Sequence, residues 1–364
     1  MTTPERMRAM VLTRHGGMDA YEWREDWPVP GPGPNQVLIR VLACGLNNTD
    51  VNTRSGWYSK AVTEATSGAG YDDVDDEDPT WGAAPLTFPR IQGADVCGEV
   101  VAAGENADAS LVGKRVITDN WLRDWNDPMN RDGTGYFGSE ADGGFAEYTV
   151  IDHRNVGTVS TDLSDAELAT FSCSYTTAEG MLARAEVGRR DTVLVTGASG
   201  GVGSALLQLA RRRGARVVGM ASEAKHDGLT GLGADALLPR TPPDLATALK
   251  DAIGSETVTV VADVVGGEGF PAALDRLARG GRYVTSGAIA GPMVELDLRT
   301  LYLRDLTMHG STVIPPHIFR DLVGYIERGE VRPLLAETWP LEKLREAQQT
   351  FIDKTHVGNI AVVP

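Results

Sequence analysis

The sequence predicts an α/β protein of two parts, one β-rich and one built on a doubly wound parallel sheet, and three observations carry that expectation. Residues 35–160 read as short β segments with frequent glycine. From Asp191 onward, apolar Val/Leu runs alternate regularly with helical stretches. A glycine-rich turn, Gly197-Ala198-Ser199-Gly200-Gly201-Val202-Gly203, joins the first of those runs to the first of those helices.

In the β-rich part the segments are QVLIRVLACG, DVCGEVVAAGE, KRVITDN and GGFAEYTVI, whose length and composition suit a compact β domain. The pattern changes after Val159. Ser164 followed by Glu167 has capping-box spacing and opens a helix. The second part then runs TVLVT, a helix through SALLQLARRR ending at Gly214, RVVGM, a helix up to Gly233, DALLP, a helix through LATALKDAIG, VTVVADVVGG, a helix through FPAALDRLARG, and GRYVTSG. Uninterrupted apolar strands separated by helices are strands covered on both faces, the pattern of a parallel sheet.

A chain of 364 residues, 42% hydrophobic and 23% charged, buries a substantial core, and its length favours two domains. No apolar stretch approaches the roughly 20 residues that a bilayer crossing requires, so a cytoplasmic protein without a membrane partner is expected. Cys44, Cys97 and Cys173 are far apart and form no C-x-x-C pair, which argues against a disulfide framework or a zinc ribbon and fits a reducing compartment. A net charge of -16 repels phosphate backbones and anionic lipid, leaving small molecules rather than nucleic acid as the expected partners. Asp72, Asp73, Asp75, Asp76, Glu77 and Asp78 concentrate part of that charge within residues 60–85, read as a solvated loop insertion.

The glycines of residues 197–203 let the backbone turn tightly and approach a pyrophosphate, which free N–H groups and the positive end of the helix dipole attract. A lone G-x-x-G is weak; the strand before it, the helix after it and the alternation beyond make it strong. The bland alternative is a turn that only packs helix on strand. Ala198, Ser199, Gly200, Gly201, Val202 and Gly203 are therefore candidate cofactor contacts. At the end of the next strand, RVVGM, the acid that NAD sites place on the ribose 2′-hydroxyl is missing. Ser222 and Lys225 offer a hydroxyl and an ammonium for a 2′-phosphate instead, which favours NADPH, with Glu223 as the discordant residue. The competing roles are a helix N-cap for Ser222 and a solvated side chain for Lys225.

Four segments in order, A-C-G-L-N-N-T-D at Ala43 to Asp50, I-Q-G-A-D at Ile91 to Asp95, A-S-G-G-V-G at Ala198 to Gly203 and H-V-G-N-I at His356 to Ile360, carry a resemblance along nearly the whole chain. The sequence resembles the medium-chain dehydrogenase/reductase superfamily, in its zinc-independent quinone oxidoreductase-like branch. The resemblance implies a GroES-like catalytic domain from both ends of the chain, residues 1–158 and 301–364, around a Rossmann dinucleotide-binding domain at 159–300. Zinc alcohol dehydrogenases of the superfamily take ligands from a Cys in C-G-x-C-x-x-D, a His in G-H-E, and a Cys or Glu shortly before the Rossmann domain. Here those places hold Asn47, Ala94 and Cys173. Catalytic zinc needs three protein ligands, and Asp95 adds at most one oxygen, so no metal is expected. The structural zinc lobe is missing too, since residues 119–144 contain no cysteine. Cys173 then reads as a small buried hydrophobe.

What remains is similar to quinone and enone reductases, whose matching stretch ends in a similar R-S-G-x-Y, here Arg54-Ser55-Gly56-Trp57-Tyr58. That similarity implies hydride addition to an electron-poor carbon while hydrogen bonds hold the developing enolate or hydroquinone anion. Asn47 is the expected donor, Tyr58 donates a proton or shapes the pocket, and Thr177 lies against the nicotinamide. The plainer roles are a satisfied backbone turn for Asn47 and a loop-surface position for Tyr58. No acid–base dyad stands out, which leaves water as a proton source. The expected activity is NADPH-dependent reduction of quinones or α,β-unsaturated carbonyls. The alternatives are a carbonyl or alcohol dehydrogenase with side-chain donors in place of zinc, and a non-catalytic NADPH-binding protein. The related enzymes also imply a homodimer in which the final strands of the Rossmann sheet pair across a two-fold axis. The expected edge runs from Arg282 through Leu298, with the acidic stretch outside the interface.

Overall fold

The structure is a computed structural model and describes residues 3–67, 69–71, 74 and 85–364, so the acidic stretch lies outside the described residues. It divides into two compact units, Met1–Val62 with Ser67–Cys173 and Pro315–Pro364, and Thr63–Thr66 with Ser174–Ile314.

The first unit is built on β-sheets, as its short glycine-punctuated segments dictate. One sheet runs in the order Val156–Thr158, Arg115–Thr118, Asp95–Ala103, Gln36–Gly45, Asn359–Val363, Leu335–Pro340, with Tyr148–Asp152 also paired to Gln36–Gly45. The chain's last strand therefore completes a sheet begun by one of its first, with Ala361 opposite Gly45 and Val362 opposite Cys44. Met10, Tyr21, Ile39, Phe137, Phe145 and Val362 are buried in the core beneath it. Gly45 is required by close approach, because a Cβ there would stand 2.1 Å from the Ala169 carbonyl oxygen. Helix α1 (Asn48–Ser55) follows at once and ends at Gly56, whose φ of 79° is left-handed backbone that only glycine adopts freely.

The second unit holds six parallel strands: β1 (Thr192–Val195), β2 (Arg216–Ala221), β3 (Ala236–Pro239), β4 (Val258–Asp263), β5 (Leu277–Thr285) and β6 (Thr307–Gly310). Their order is β3-β2-β1-β4-β5-β6, and every neighbouring pair is parallel. This is the doubly wound sheet that the alternation predicts, and the strand order reverses at β1/β4. Helix α2 (Ser172–Arg184) precedes the sheet, and helix α3 (Gly201–Arg212) crosses from β1 to β2.

Several boundaries differ from the expected ones. The first unit extends past residue 158 to Cys173, because the capped helix Asp165–Leu168 belongs with the β-sheet; Asn359 Nδ2 donates to Thr170 O at 3.2 Å. The second unit extends past residue 300 to Ile314, because β6 arrives after a further helix and pairs with β5. The helix through FPAALDRLARG stops at Asp275, and the remainder enters β5, where burial of Leu277 against the sheet outweighs helical propensity. The helix after β2 ends at Leu229 rather than at Gly233. The expected dimer edge is also displaced. Residues 282–285 lie inside the sheet between β4 and β6, residues 286–297 form no strand, and the sheet's edge is β6. Among the described residues no helix is long and apolar enough to cross a membrane.

Candidate active site

The second unit carries a close-packed glycine turn between strand and helix. Gly197 leaves β1 with φ 58°, Gly200 takes the N-cap position of α3, and Gly203 packs so closely that a Cβ would lie 2.1 Å from the Gly197 carbonyl oxygen. The first N–H groups of a helix have no intrahelical acceptors, so those of Gly201 and Val202 are available to an anion at the positive end of the dipole. Ala198 is buried beneath the turn and Ser199 is half-buried on it. The turn is braced from below by Asp263, at the end of β4, which accepts from the Thr196 and Tyr283 hydroxyls and from Val265 N at 2.8 Å. An apolar groove opens at the carboxyl ends of these strands, lined by Gly197, Met220, Arg240, Pro242, Asp263 and Gly266 among others. A dinucleotide's pyrophosphate and adenosine fit this arrangement, since the backbone comes close where side chains would block it.

The residues after β2 lie beside those after β3, because Ala221 pairs with Pro239. Ser222 stands at the N-cap of a 3₁₀ turn, Glu223–Lys225, but its hydroxyl makes no capping bond. Glu223, the discordant acid, is exposed, whereas Lys225 is half-buried. Burial and the charge of Arg240 both push the Lys225 ammonium below its ordinary pKa. Arg240 is a residue that sequence reasoning missed, although its place immediately after DALLP marks it as soon as β3 is known to lie beside β2. Among the described residues Arg240 makes no ion pair. His226 ties the two strand ends together: its Nε2 lies 3.2 Å from both Ala221 O and Leu238 O. Two carbonyl acceptors require that this nitrogen carry the proton.

The first unit gathers a second group of polar side chains. Asn47 caps α1, and Asp50, three residues on, accepts the Asn47 N–H at 2.7 Å. The Asn47 side chain is buried, with 6% of the residue exposed, and its Nδ2 faces Asp95 closely enough to favour the carboxylate without completing a hydrogen bond among the described residues. Beside it lies Asp95, which accepts from Asn120 Nδ2 at 2.7 Å and from Cys173 N at 2.8 Å. Burial pushes the Asp95 carboxyl up to about 6 against the opposing effects of Asn120, the nearby Asn47 amide and the Cys173 N–H. Burial likewise pushes Asp50 up to about 7, with the Asp95 charge adding to it. Tyr136 bonds to Asn120 Nδ2 at 3.3 Å and to the Cys173 sulfur, and burial foremost drives its phenol pKa up. Tyr58 is half-buried rather than on the loop surface, bonded to Thr49 and Asn52, and burial raises its pKa too. Both phenols therefore stay protonated and donate at ordinary pH. Thr177 is half-buried on α2 in the second unit.

Cys173 does not behave as the small buried hydrophobe expected from sequence. It is half-buried, unlike Cys44 and Cys97, which are fully buried. As the second residue of α2 its N–H lacks an intrahelical acceptor, and satisfying that donor with Asp95 brings the thiol among polar side chains.

Comparison with known proteins matches these parts in order. The alcohol dehydrogenase GroES-like domain family matches residues 33–161, and the zinc-binding dehydrogenase family matches residues 201–328. A protein of Sinorhizobium meliloti 1021, named as a candidate alcohol dehydrogenase, has a solved structure that is 44% identical, with a TM-score of 0.90 over 100% of this chain and 98% of that one. The chain belongs to the medium-chain dehydrogenase/reductase superfamily, in its quinone oxidoreductase-like branch. Human quinone oxidoreductase is 27% identical over 354 residues, covering 95% of this chain and 94% of that protein. A crotonyl-CoA carboxylase/reductase solved in complex with NADP is 25% identical, with a TM-score of 0.84 over 100% of this chain and 95% of that one. The protein is thus an oxidoreductase of a superfamily that uses nicotinamide cofactors, and the glycine cradle fits such a cofactor.

The metal named in the family's description does not find its donors here. Ala94 offers only a methyl group, Asn47 a neutral amide, and Asp95 is already engaged by two N–H groups. Among the described residues no group of three His, Cys, Asp or Glu side chains is placed to hold an ion.

Proposed function

We propose that this chain is an NADPH-dependent, zinc-independent reductase of quinones or α,β-unsaturated carbonyl compounds. The observation that carries the reading is the buried Asn47 amide, whose Nδ2 faces Asp95 without completing a hydrogen bond to it. A buried donor without an acceptor is unfavourable by about 1–3 kcal/mol, and a substrate oxygen that gains negative charge relieves that deficit most when the charge is largest. Bound NADPH would supply the hydride; Ala198, Ser199, Gly200, Gly201, Val202 and Gly203 would hold its pyrophosphate, Ser222, Lys225 and Arg240 its 2′-phosphate, and Thr177 its nicotinamide. Asn47 Nδ2 donates to the acceptor's carbonyl oxygen. Tyr58 remains a neutral donor near the same cluster, and water supplies the proton that carbon requires.

The test is NADPH oxidation against quinones, enals, enones, acrylyl thioesters and simple ketones, with product analysis, repeated in strong chelator. Reduction of C=C bonds or quinones that survives chelation is expected. Exclusive C=O reduction would instead indicate a carbonyl or alcohol dehydrogenase, NADPH binding without any acceptor a non-catalytic protein, and chelator-sensitive turnover with stoichiometric zinc would overturn metal independence.

We also propose a homodimer through the β6 edge. One side of β6 has no strand partner among the described residues, and Met293, Val294, Leu298, Tyr302, Leu303 and Met308 are exposed nearby in sequence or on the strand itself. An open edge with apolar side chains favours pairing with an identical copy. Light scattering at micromolar concentration should find a dimer, and Met308→Asp, on β6 itself, should shift it to monomer; a monomeric parent protein sinks the proposal, and an undisturbed dimer sinks this surface.

A further inference from the structure

We propose that Cys173 is a covalent modification site for soft carbon electrophiles of the enone, maleimide and quinone class. Of the three cysteines Cys173 alone is partly exposed, since Cys44 and Cys97 are each 0% exposed. Two features of its surroundings favour conjugate addition, against the Asp95 carboxylate, which accepts the Cys173 N–H and opposes negative charge on the sulfur. The sulfur receives a hydrogen bond from Tyr136 and sits in the first turn of α2, a helix of 13 residues whose dipole favours negative charge at that end. Independently of the thiol, the Asn47 amide is buried in the same cluster with its Nδ2 completing no hydrogen bond, the two residues flanking Asp95. An acceptor whose carbonyl oxygen takes a hydrogen bond from Asn47 would present its β-carbon within the same polar group as the Cys173 sulfur.

The step balances without a co-reactant. Sulfur forms a bond to the β-carbon as the C=C π pair moves to the carbonyl oxygen, and the thiol's proton ends on the α-carbon. The adduct is the sum of its two reactants, with nothing oxidised or reduced. A quinone gives a hydroquinone thioether by the same addition, with the thiol's proton and the ring proton at the attacked carbon ending on the two oxygens. The choice of electrophile class rests on the function proposed above, but maleimide addition needs neither cofactor nor turnover.

The experiment treats the native full-length protein with N-ethylmaleimide and locates the adducts by intact mass and peptide mapping. Cys173 should be labelled before unfolding, with Cys44 and Cys97 labelled only in denaturant, and Cys173→Ser should abolish native-state labelling. Asn47→Ser should slow maleimide addition by about tenfold, the worth of one hydrogen bond to a developing anion, yet leave alkylation by iodoacetamide unchanged because that substitution forms no enolate. A native protein that stays unlabelled at Cys173, or labels Cys44 or Cys97 as fast, overturns the site. Equal slowing of both reagents overturns the part given to Asn47. Should Asn47→Ser fail to fold, the mapping and Cys173→Ser still decide the site. Labelled Cys173 in a protein inactive against the whole acceptor panel would sink the proposed reductase function alone, and the converse result would sink this site alone.

Discussion

Replacing Lys225 and Arg240 together by alanine should weaken NADPH binding by about 10²- to 10³-fold while leaving NADH within about twofold. The two cations follow adjacent parallel strands, and each lowers the cost of bringing a phosphate into the groove. Like charges held side by side repel one another, and on the proposed reading a 2′-phosphate would relieve that cost where NADH could not. A charge-assisted hydrogen bond contributes about 1.5–3 kcal/mol, so Lys225→Ala alone should lose roughly 1–3 kcal/mol. Because both residues address one phosphate, the double variant should lose less than the sum of the singles. Calorimetric titration with both cofactors is the measurement. Equal loss for NADPH and NADH would show that the pair acts on the fold, and undiminished NADPH affinity would place the 2′-phosphate elsewhere.

Asp50→Asn should remove part of the protein's pH-dependent loss of stability between pH 4 and 8, the rest belonging to Asp95 and Asp119, each held up to about 6 by burial. The Asp50 carboxyl is held up to about 7 in the folded state, largely by burial and further by Asp95, against an unfolded value near 3.9. Below about pH 4 it is protonated in both states and contributes nothing to the slope. As pH rises toward 7 the unfolded chain releases its proton while the folded chain retains it, so stability falls, and the full penalty stands above pH 7. The difference between the two states corresponds to on the order of 4 kcal/mol. Asn keeps an acceptor for the Asn47 N–H but cannot ionise. Its lost contacts, including that to the Gly93 N–H, offset the stability curve without tilting it. Denaturant melts at several pH values should therefore show wild type losing stability relative to the variant as pH rises. Parallel curves would falsify the assignment of a buried, raised carboxyl to Asp50.

Much of the fold was legible because its signals are local. Capping at Ser164, glycine at Gly214 and Gly254, and unbroken Val/Leu strands follow from propensity and from the period of burial, which neighbouring residues declare. Boundaries were less legible where tertiary burial overrides propensity: Leu277 leaves a helical pattern because the sheet buries it. The edge strand was misplaced because nothing within residues 282–298 reveals that a later strand, β6, covers that side of β5.

The candidate site divides along the same line. The sequence by itself determined the glycine turn between strand and helix, since its spacing fixes where the N–H groups are presented, and it determined that Asn47 and Ala94 stand where zinc would require a thiolate and an imidazole. Only the tertiary structure decided that Arg240 lies beside Lys225, that Asp95 binds Cys173 N, that Cys173 is partly exposed, and that the Asn47 Nδ2 completes no hydrogen bond. Those facts depend on which strands become neighbours and which donors find acceptors across long stretches of chain, and hydrogen-bond satisfaction of that kind belongs to the whole fold rather than to any segment of it.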